Sequence, residues 1–466
     1  MNNKTSLLSL PRNHLIMDLI LLFGGFITIL NSSLIAPALP SIMHELSVDA
    51  TEGQWLTTVF LLVNGIMIPI SAFLLGKFTT RHLFFAAMGI FTLGTLFCGL
   101  AETFPVLLGG RILQAMGAGV LMPMMQTIIM LTLPRNLRGI GMGMVGLVIA
   151  CAPAVGPVLA GFLVDVSSWR SMFYAMLPLA FLIILLACFH LENMGETTDE
   201  KLDIPSVILS TAGFGGLLYA FSVVGSSGMS AAVIVTFLIG AVALYFFFRR
   251  QLHMEHPMLK VDILKNKQFT VSVVLVMFVN ASLMIGGILN PIYIQDLRGY
   301  SATLSGLIMF PAAVVSALVS PLSGHWFDKY GPRVLAIPGF LMVAIFTIPL
   351  STMTPTTSLV FLTISYTLRM VGLTMVNMPI TTWGMNALDN KDIPHGTAIA
   401  NTARQMAGSL GTAILVTVMT VTVSSASNPE SVLAQIHGIN MGFAGVIVYN
   451  LTAAFIAFHY VKKGRK

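Results

Sequence analysis

Charged residues are scarce in this chain of 466 residues. Asp, Glu, Lys and Arg together make up 9% of the sequence, whereas hydrophobic residues make up 56%. A soluble protein of this length usually carries about a quarter charged residues. The scarcity therefore excludes an ordinary soluble globular protein and indicates an integral membrane protein.

Cysteine is also scarce, and no arrangement of side chains marks a reaction centre. Cys98, Cys151 and Cys188 lie within apolar segments, and their spacing matches neither a metal site nor a disulfide framework. The sequence has no paired histidine ligands, no Ser/His/Asp set and no phosphate-binding loop. We therefore expect no metal and no cofactor, and we expect that the protein is not an enzyme.

Long apolar runs are what the chain has in abundance. Windows of about twenty apolar residues predict fourteen transmembrane helices, all of them α-helical because the runs do not alternate as barrel strands would. The 30 Met, 41 Gly and 22 Pro are typical of closely packed, sometimes broken helices. An even number of spans places both termini on the same side of the membrane.

Lys and Arg are distributed unevenly between the predicted loops. With a cytoplasmic N-terminus, the outer loops hold only Arg170 and Arg298, and this asymmetry sets the orientation. We predict a multi-pass protein of the cell (plasma) membrane with both termini in the cytoplasm. The anionic inner leaflet then accounts for the net charge of +6, and no nucleic-acid partner is expected. The inner loops and tails would hold Lys4, Arg12, Lys77, Arg81, Arg135, Arg138, Lys201, Arg249, Arg250, Lys260, Lys265, Lys267, Lys329, Arg333, Lys391, Arg404, Lys462, Lys463, Arg465 and Lys466.

Two hydrophilic inner segments divide the chain. Residues 190–203 and 249–268 are the longest charged stretches, and they flank two predicted helices without internal charge. This pattern predicts an N-terminal six-helix bundle over 1–190, an inserted pair of helices with its flanking loops over 191–267, and a C-terminal six-helix bundle over 268–466.

The connection after the tenth predicted helix carries a pattern of several fixed positions. Its glycines permit a tight turn, and Asp328 is able to cap a helix N-terminus or to pair with Arg333. Such a contact would act as a latch that holds one conformation across the cytoplasmic gap. The alternative is an ordinary solvated loop that follows the positive-inside bias. The pattern consists of Gly324, Asp328, Lys329, Gly331 and Arg333.

A similar basic turn follows the second predicted helix, and it indicates an internal repeat of two six-helix units. In this turn, Gly76 or Thr80 stands where the later loop has Asp328. Any latch in this loop would therefore depend on Lys77 and Arg81.

The fifth predicted helix contains residues that weaken a helix. Pro153 and Pro157 each remove a backbone donor, and Gly156 and Gly161 loosen the hydrogen-bond ladder further. These four residues are our candidates for a conformational hinge. The alternative is a smooth stripe for close packing of a helix pair. Asp165, near the end of the same apolar run, favours the hinge.

Two arginines and several amides occur where the chain is otherwise apolar. Arg111 in the fourth helix and Arg369 in the twelfth occupy comparable places in the two units, and each should face the bundle interior. Arg111 would either regulate a carboxyl group or anchor packing through backbone carbonyls. The amides would line a cavity or form hydrogen bonds between helices. The cavity candidates are Asn31, Asn64, Gln114, Gln126, Asn377 and Arg369.

Four patterns resemble those of the major facilitator superfamily, and specifically its fourteen-helix drug/proton antiporter branch. They are the loop at 324–333, the fourth-helix pattern at 110–119, the glycine-proline pattern at 152–161 and the thirteenth-helix pattern at 396–405. The run at 54–69 is most similar to lincomycin-resistance (LmrB-type) multidrug exporters. The resemblance implies a major facilitator fold, with two six-helix bundles plus two inserted helices.

The resemblance also implies a function. It is that of a proton-coupled antiporter that exports lipophilic or amphipathic drugs and other small toxic compounds across the cytoplasmic membrane by alternating access. We expect a small-molecule substrate, protons and membrane lipids as partners, and a monomeric protein. The alternative is a dedicated exporter of a single metabolite or lipid-like compound.

Proton exchange requires a group whose protonation changes as the site opens and closes. The branch commonly places an aspartate in the first helix where this sequence has Asn31, which carries no proton. Asp165 is our first candidate because it shares a helix with the predicted hinge, and Asp18 is our second. The alternative for Asp165 is an always hydrated carboxylate paired with Arg170. Arg111 would tune the proton carrier.

Overall fold

The structure, a computed structural model, describes residues 11–195, 201–227 and 230–461. Within these ranges the regular structure is helical, and fourteen helices are long and apolar enough to cross a membrane, as predicted. Lys4 and the tail residues Lys462, Lys463, Arg465 and Lys466 lie outside the described residues. The helices are α1 (Arg12–Leu46), α2 (Ala50–Lys77), α3 (Thr80–Gly99), α4 (Phe104–Thr132), α5 (Arg138–Val166), α6 (Arg170–His190), α7 (Ile204–Ser227), α8 (Ala231–His253), α9 (Lys267–Pro291), α10 (Ala302–Tyr330), α11 (Arg333–Thr347), α12 (Leu359–Met385), α13 (Ile393–Ser424) and α14 (Val432–Tyr460).

The helices form where apolar runs leave the backbone no acceptor except itself, because hydrocarbon offers no hydrogen bonds. Their ends are marked by polar side chains. Asp49 accepts a hydrogen bond from the Glu52 amide at 2.7 Å, and Ser301 accepts one from the Leu304 amide at 3.2 Å. Gly331 ends α10 with a φ of +81°, which a glycine adopts without strain.

The first and last helices fix a reference side. Since α1 and α14 are the ends of an even series of spans, the start of α1 and the end of α14 lie on the same face, which we call the termini side. The predicted place of Arg404 is wrong. The bias of basic residues toward inner loops predicts a loop position for it, but it lies inside α13, roughly 16 Å from that helix's first residue at 1.5 Å per residue.

Two long helices, α5 and α10, pack closely on the termini side. A Cβ atom added to Gly143 of α5 would lie 2.8 Å from the backbone oxygen of Ser320 in α10. The Ser320 hydroxyl in turn donates a hydrogen bond of 2.8 Å to the Gly143 carbonyl. Glycine at this position therefore permits a backbone approach that a larger residue would prevent.

The helices α7 and α8 pack on each other, and α7 also contacts α2 and α13. Trp55 of α2 stacks on Tyr219 of α7 with ring centroids 6.1 Å apart. At the base of the pair, Asp203 accepts two hydrogen bonds from Arg250, of 2.7 and 2.9 Å. The Arg250 guanidinium lowers the pKa of Asp203 to about 2, so this ion pair persists at physiological pH.

The buried apolar side chains form one large cluster and several smaller ones. The large cluster includes Met17, Phe84, Met125 and Phe173, each fully buried, and it extends from α1–α6 into α7, α8, α9, α12 and α13. A smaller cluster joins α9, α11, α12 and α14. We call α1–α6 and α9–α14 the two groups of helices.

The α5 and α10 contact gives a testable prediction. We expect Gly143→Val to force the two helices apart on the termini side, because its Cβ would meet the Ser320 backbone. Spin labels attached through Arg135→Cys and Tyr330→Cys, both exposed at this side, should report a longer distance in the variant.

The matched control is Gly161→Val in the same helix, where an added Cβ meets no atom within 4 Å. This control should leave the label distance unchanged. An unchanged distance in Gly143→Val, with the protein still folded, would contradict the proposed packing constraint.

Candidate functional site

A cluster of polar side chains lies between α4, α12 and α13, in the half of these helices nearer the termini side. Arg404 is at its centre: one terminal nitrogen donates to Asn401 Oδ1 at 2.8 Å. The other lies 3.1 Å from Thr381 Oγ1 and 3.4 Å from Asn377 Oδ1. We call Gln126, Asn377, Thr381, Asn401 and Arg404 the central cluster.

The central cluster joins the two groups of helices. Asn401 Nδ2 in α13 donates a hydrogen bond of 2.9 Å to Gln126 Oε1 in α4. Gln126 is 1% exposed and Asn401 is 6% exposed, whereas Arg404 and Asn377 are partly accessible. The accessible part of the cluster therefore lies beyond a closed contact, on the side away from the termini.

A second polar network surrounds Arg111. Its Nε donates to the Leu56 carbonyl at 3.2 Å and one terminal nitrogen donates to Gln114 Oε1 at 2.9 Å. The guanidinium also lies 4.3 Å from the centre of the Phe60 ring. These contacts anchor Arg111 to the backbone of α2.

Gln114 extends this network to α1 and α3. Its amide nitrogen lies 3.0 Å from Thr95 Oγ1 and 3.4 Å from Asn31 Oδ1. The structure therefore brings together three predicted residues, Arg111, Gln114 and Asn31. Asn64 is not part of the network, although its backbone packs against Gly119 of α4.

Arg369 is placed differently from the other cavity candidates. It is 0% exposed and donates a hydrogen bond to the Ser282 carbonyl of α9. Asn450 of α14 donates to the Ser282 hydroxyl at 2.8 Å. Arg369 thus lies within the packing of α9, α12 and α14 and lines no accessible space in this conformation.

Asp328 bridges two distant parts of the chain. Its carboxylate accepts hydrogen bonds from the backbone amides of Gly139 and Ile140, each at 2.9 Å, at the first turn of α5. The Arg333 guanidinium does not pair with it but lies 4.9 Å from the Phe458 ring centre. Lys329 lies 5.0 Å from the ring centre of Tyr330. Asp328 is therefore placed as a cap on a helix of the other group.

Arg138 reinforces the Asp328 contact. It lies in the first turn of α5 and donates to Asn386 Oδ1 at 3.2 Å and to Asn390 Oδ1 at 3.0 Å, both at the end of α12. All hydrogen bonds between α1–α6 and α9–α14 in the described part of the chain lie on the termini side or at the central cluster.

The corresponding turn after α2 makes contacts within its own group of helices. A terminal nitrogen of Arg81 donates to the Cys188 carbonyl at 2.7 Å, and the Thr80 hydroxyl donates to the Met194 carbonyl at 3.0 Å. The Lys77 ammonium lies 5.8 Å from the Phe73 ring centre. These contacts hold the turn to the end of α6.

The two carboxyl groups proposed for proton exchange lie in contrasting surroundings. Asp18 is 7% exposed, and the Thr132 hydroxyl lies 3.0 Å from both of its carboxylate oxygens. Asp165 is exposed at the other end of the bundle. Arg170, considered as its partner, instead pairs with Glu45 and donates to the Ala101 carbonyl at 2.7 Å.

The predicted hinge residues lie within an unbroken helix. Both Pro153 and Pro157 are accommodated inside α5, which runs from Arg138 to Val166. Gly156 lies directly against Ser33 of α1, whereas Gly161 faces open space. Close packing of α5 therefore includes Gly156 but does not extend to Gly161 in this conformation.

Three members of the central cluster, Thr381, Asn401 and Arg404, are absent from the predicted site residues. Arg404 was assigned to a loop, and Asn401 was noted only as part of a thirteenth-helix pattern. The sequence does indicate both residues, because Arg404 and Asn401 are polar and lie within a predicted apolar span over about 395–421. Arg404 is missed because the positive-inside bias assigns basic residues to cytoplasmic loops.

Comparison with known proteins identifies relatives along the whole chain. A family model described as Major Facilitator Superfamily matches residues 21–412. The uncharacterized transporter YcnB of Bacillus subtilis is 45% identical over 99% of this chain and 98% of its own length. The lincomycin resistance protein LmrB of Listeria monocytogenes is 38% identical over 93% of each chain. A double tryptophan mutant of the transporter XylE, 14% identical, superimposes with a TM-score of 0.69 over 97% of this chain and 96% of its own.

The Asp328 contact gives a prediction about conformation. We expect Asp328→Asn to weaken the closed termini side by about tenfold, because the first turn of α5 loses an anionic acceptor worth roughly 1–2 kcal/mol. The measurement is the rate at which a membrane-impermeant maleimide labels Ser320→Cys from the termini side, with the native cysteines replaced by serine.

Asp296→Asn is the control, since Asp296 is an exposed carboxylate after α9 on the opposite side. Its labelling rate should match that of the parent. Equal labelling of the Asp328 and Asp296 variants would show that the carboxylate does not hold this side closed.

Proposed function

The chain belongs to the major facilitator superfamily of membrane transporters, and we propose that it exports lipophilic or amphipathic small molecules in exchange for protons. Its relation to LmrB, a lincomycin resistance protein, supports export of toxic compounds. We propose that both termini are cytoplasmic, as the distribution of Lys and Arg indicates. On this assignment, the closed termini side is the cytoplasmic side.

The observation that carries the proposal is the one-sided distribution of contacts between the two groups of helices. Asp328, Arg138 and the Asn401–Gln126 bond close the termini side. We propose that α1–α6 and α9–α14 are two rocking bundles, with α7 and α8 as an inserted pair. The conformation described here is then the one that releases cargo outward.

In this mechanism, opening to the cytoplasm requires the loss of the contacts between α5 and α10. Asp328 must leave the amides of Gly139 and Ile140, and Asn401 must leave Gln126. The prolines of α5 would let its outer part follow a different path from its inner part. Each contact consists of a few hydrogen bonds, so the binding of a proton or a substrate is sufficient to shift the equilibrium between the two conformations.

Asp18 is the proton carrier that the structure favours. It is buried, and its partner Thr132 lines a cavity of about 650 Å³ on the termini side together with Arg135 and Arg138. A proton released from Asp18 would therefore have a short path to the cytoplasm. Asp165 is exposed in this conformation, and a carboxyl group that stays in water gains little from a conformational change.

A proton gradient supplies enough free energy for this exchange. Each unit of pH difference contributes roughly 1.4 kcal/mol per proton, and each 100 mV contributes about 2.3 kcal/mol per net charge moved. One proton per substrate therefore supports tenfold or greater accumulation.

Proton coupling is tested in everted membrane vesicles that contain the protein and across which a pH gradient is imposed. We expect accumulation of a lipophilic drug that a protonophore abolishes. Asp18→Asn should abolish this accumulation while preserving exchange of labelled for unlabelled drug, since exchange needs no proton.

Asp262→Asn, which alters an exposed carboxylate next to Lys265, is the control and should behave as the parent. Accumulation that is indifferent to the protonophore would rule out proton coupling. Full accumulation by Asp18→Asn together with its loss in Asp165→Asn would transfer the proton role to Asp165.

A further inference from the structure

The middle of the bundle carries positive charge without matching negative charge. Arg111, Arg369 and Arg404 lie well inside their helices, whereas every Asp and Glu that the structure describes, except Asp18, lies in a connection or near a helix end. Asp18 itself is in the second turn of α1. A guanidinium at this depth is costly unless it is well bonded or has a functional use.

Two of the three arginines have a structural use. Arg111 is 1% exposed and is held by the Leu56 carbonyl, the Gln114 side chain and the Phe60 ring. Arg369 is 0% exposed and is held by the Ser282 carbonyl. Neither is accessible to a ligand in this conformation.

Arg404 differs from both in its accessibility. It is partly accessible, and its terminal nitrogens contact only neutral oxygens, those of Asn377, Thr381 and Asn401. Its Nε has no hydrogen-bond partner in the described part of the chain. The neutral partners orient the guanidinium but leave its charge uncompensated.

Arg404 lies just beyond a buried contact between the two groups of helices, on the side away from the termini. The buried Asn401–Gln126 bond lies one turn nearer the termini side. Met122 is four residues before Gln126, so it lies on the same face of α4 one turn farther from the termini, and it is partly accessible. Going away from the termini side, the guanidinium of Arg404 is therefore followed by the flexible apolar side chain of Met122.

We propose that Arg404 binds a carboxylate group of the exported compound, so that amphipathic organic acids are the preferred substrates. The proposal rests on the export function proposed above and names its substrate class. The planar fork of an arginine matches a carboxylate, and one guanidinium balances one negative charge. Among the residues that the structure describes, no carboxylate lies at this depth to pair with a cationic drug.

The test uses the full-length protein in proteoliposomes and three fluorescent probes. These are 11-(dansylamino)undecanoic acid, its methyl ester and the amine of the same chain length. In the unaltered protein we expect the acid to bind about tenfold more tightly than the ester or the amine, as a charge-assisted hydrogen bond provides.

Variants at Arg404 should remove this preference in a graded way. Arg404→Gln should weaken binding of the acid to the affinity of the ester, while the affinity for the ester stays unchanged. Arg404→Lys should retain part of the preference for the acid because it retains the positive charge. Arg249→Gln, at an exposed arginine of α8, is the control and should bind all three probes as the unaltered protein does. Thermal unfolding of each variant verifies that it is folded.

Two kinds of result would overturn the anion site. One is that the unaltered protein binds the amine as tightly as the acid, or more tightly; this measurement requires no variant. The other is an acid preference that survives in folded Arg404→Gln. In either case, transport of any of the probes would leave the export proposal intact, whereas transport of none of the three would contradict both.

Discussion

The first turn of α5 begins with amide groups for which its own sequence supplies no acceptor. Leu137, at the position before the helix, has no side-chain oxygen, and no local cap forms. The amides of Gly139 and Ile140 instead bond to Asp328, 189 and 188 positions away. Because unbonded amides are costly in an apolar interior, the start of one helix depends on the end of another.

That dependence requires the two helices to approach closely, and the small residues of α5 and α10 allow it. Gly139 and Gly324 contact each other through their backbones, and Gly143 faces the Ser320 backbone. The same helix α5 carries Pro153 and Pro157 farther along. One helix therefore carries both the first-turn amides that Asp328 caps and, farther along, the two prolines of the proposed hinge.

The polar interior follows from the cost of charge in hydrocarbon. Arg111 is enclosed by the Leu56 carbonyl, the Gln114 side chain and the Phe60 ring, and Arg369 is fully buried and donates to the Ser282 carbonyl. Arg404 has partners that position it without neutralising it. Among the described residues no carboxylate lies at its depth, and this uncompensated charge is the basis of the proposed anion site.

The sequence by itself determined the number of helices and the family, because bilayer thickness sets the length of an apolar run and the motifs are local in the chain. It also identified Asp328 as a helix cap or an ion-pair partner, and it selected Gln114, Asn31 and Gln126 as interior amides. Only the tertiary structure decided that Asp328 meets α5 and not Arg333, that Asp18 is buried while Asp165 is exposed, and that Arg404 meets Asn377 and Thr381 of α12. These features depend on contacts between residues far apart in the chain, and hydropathy measured along a segment contains no information about which distant helix that segment will face.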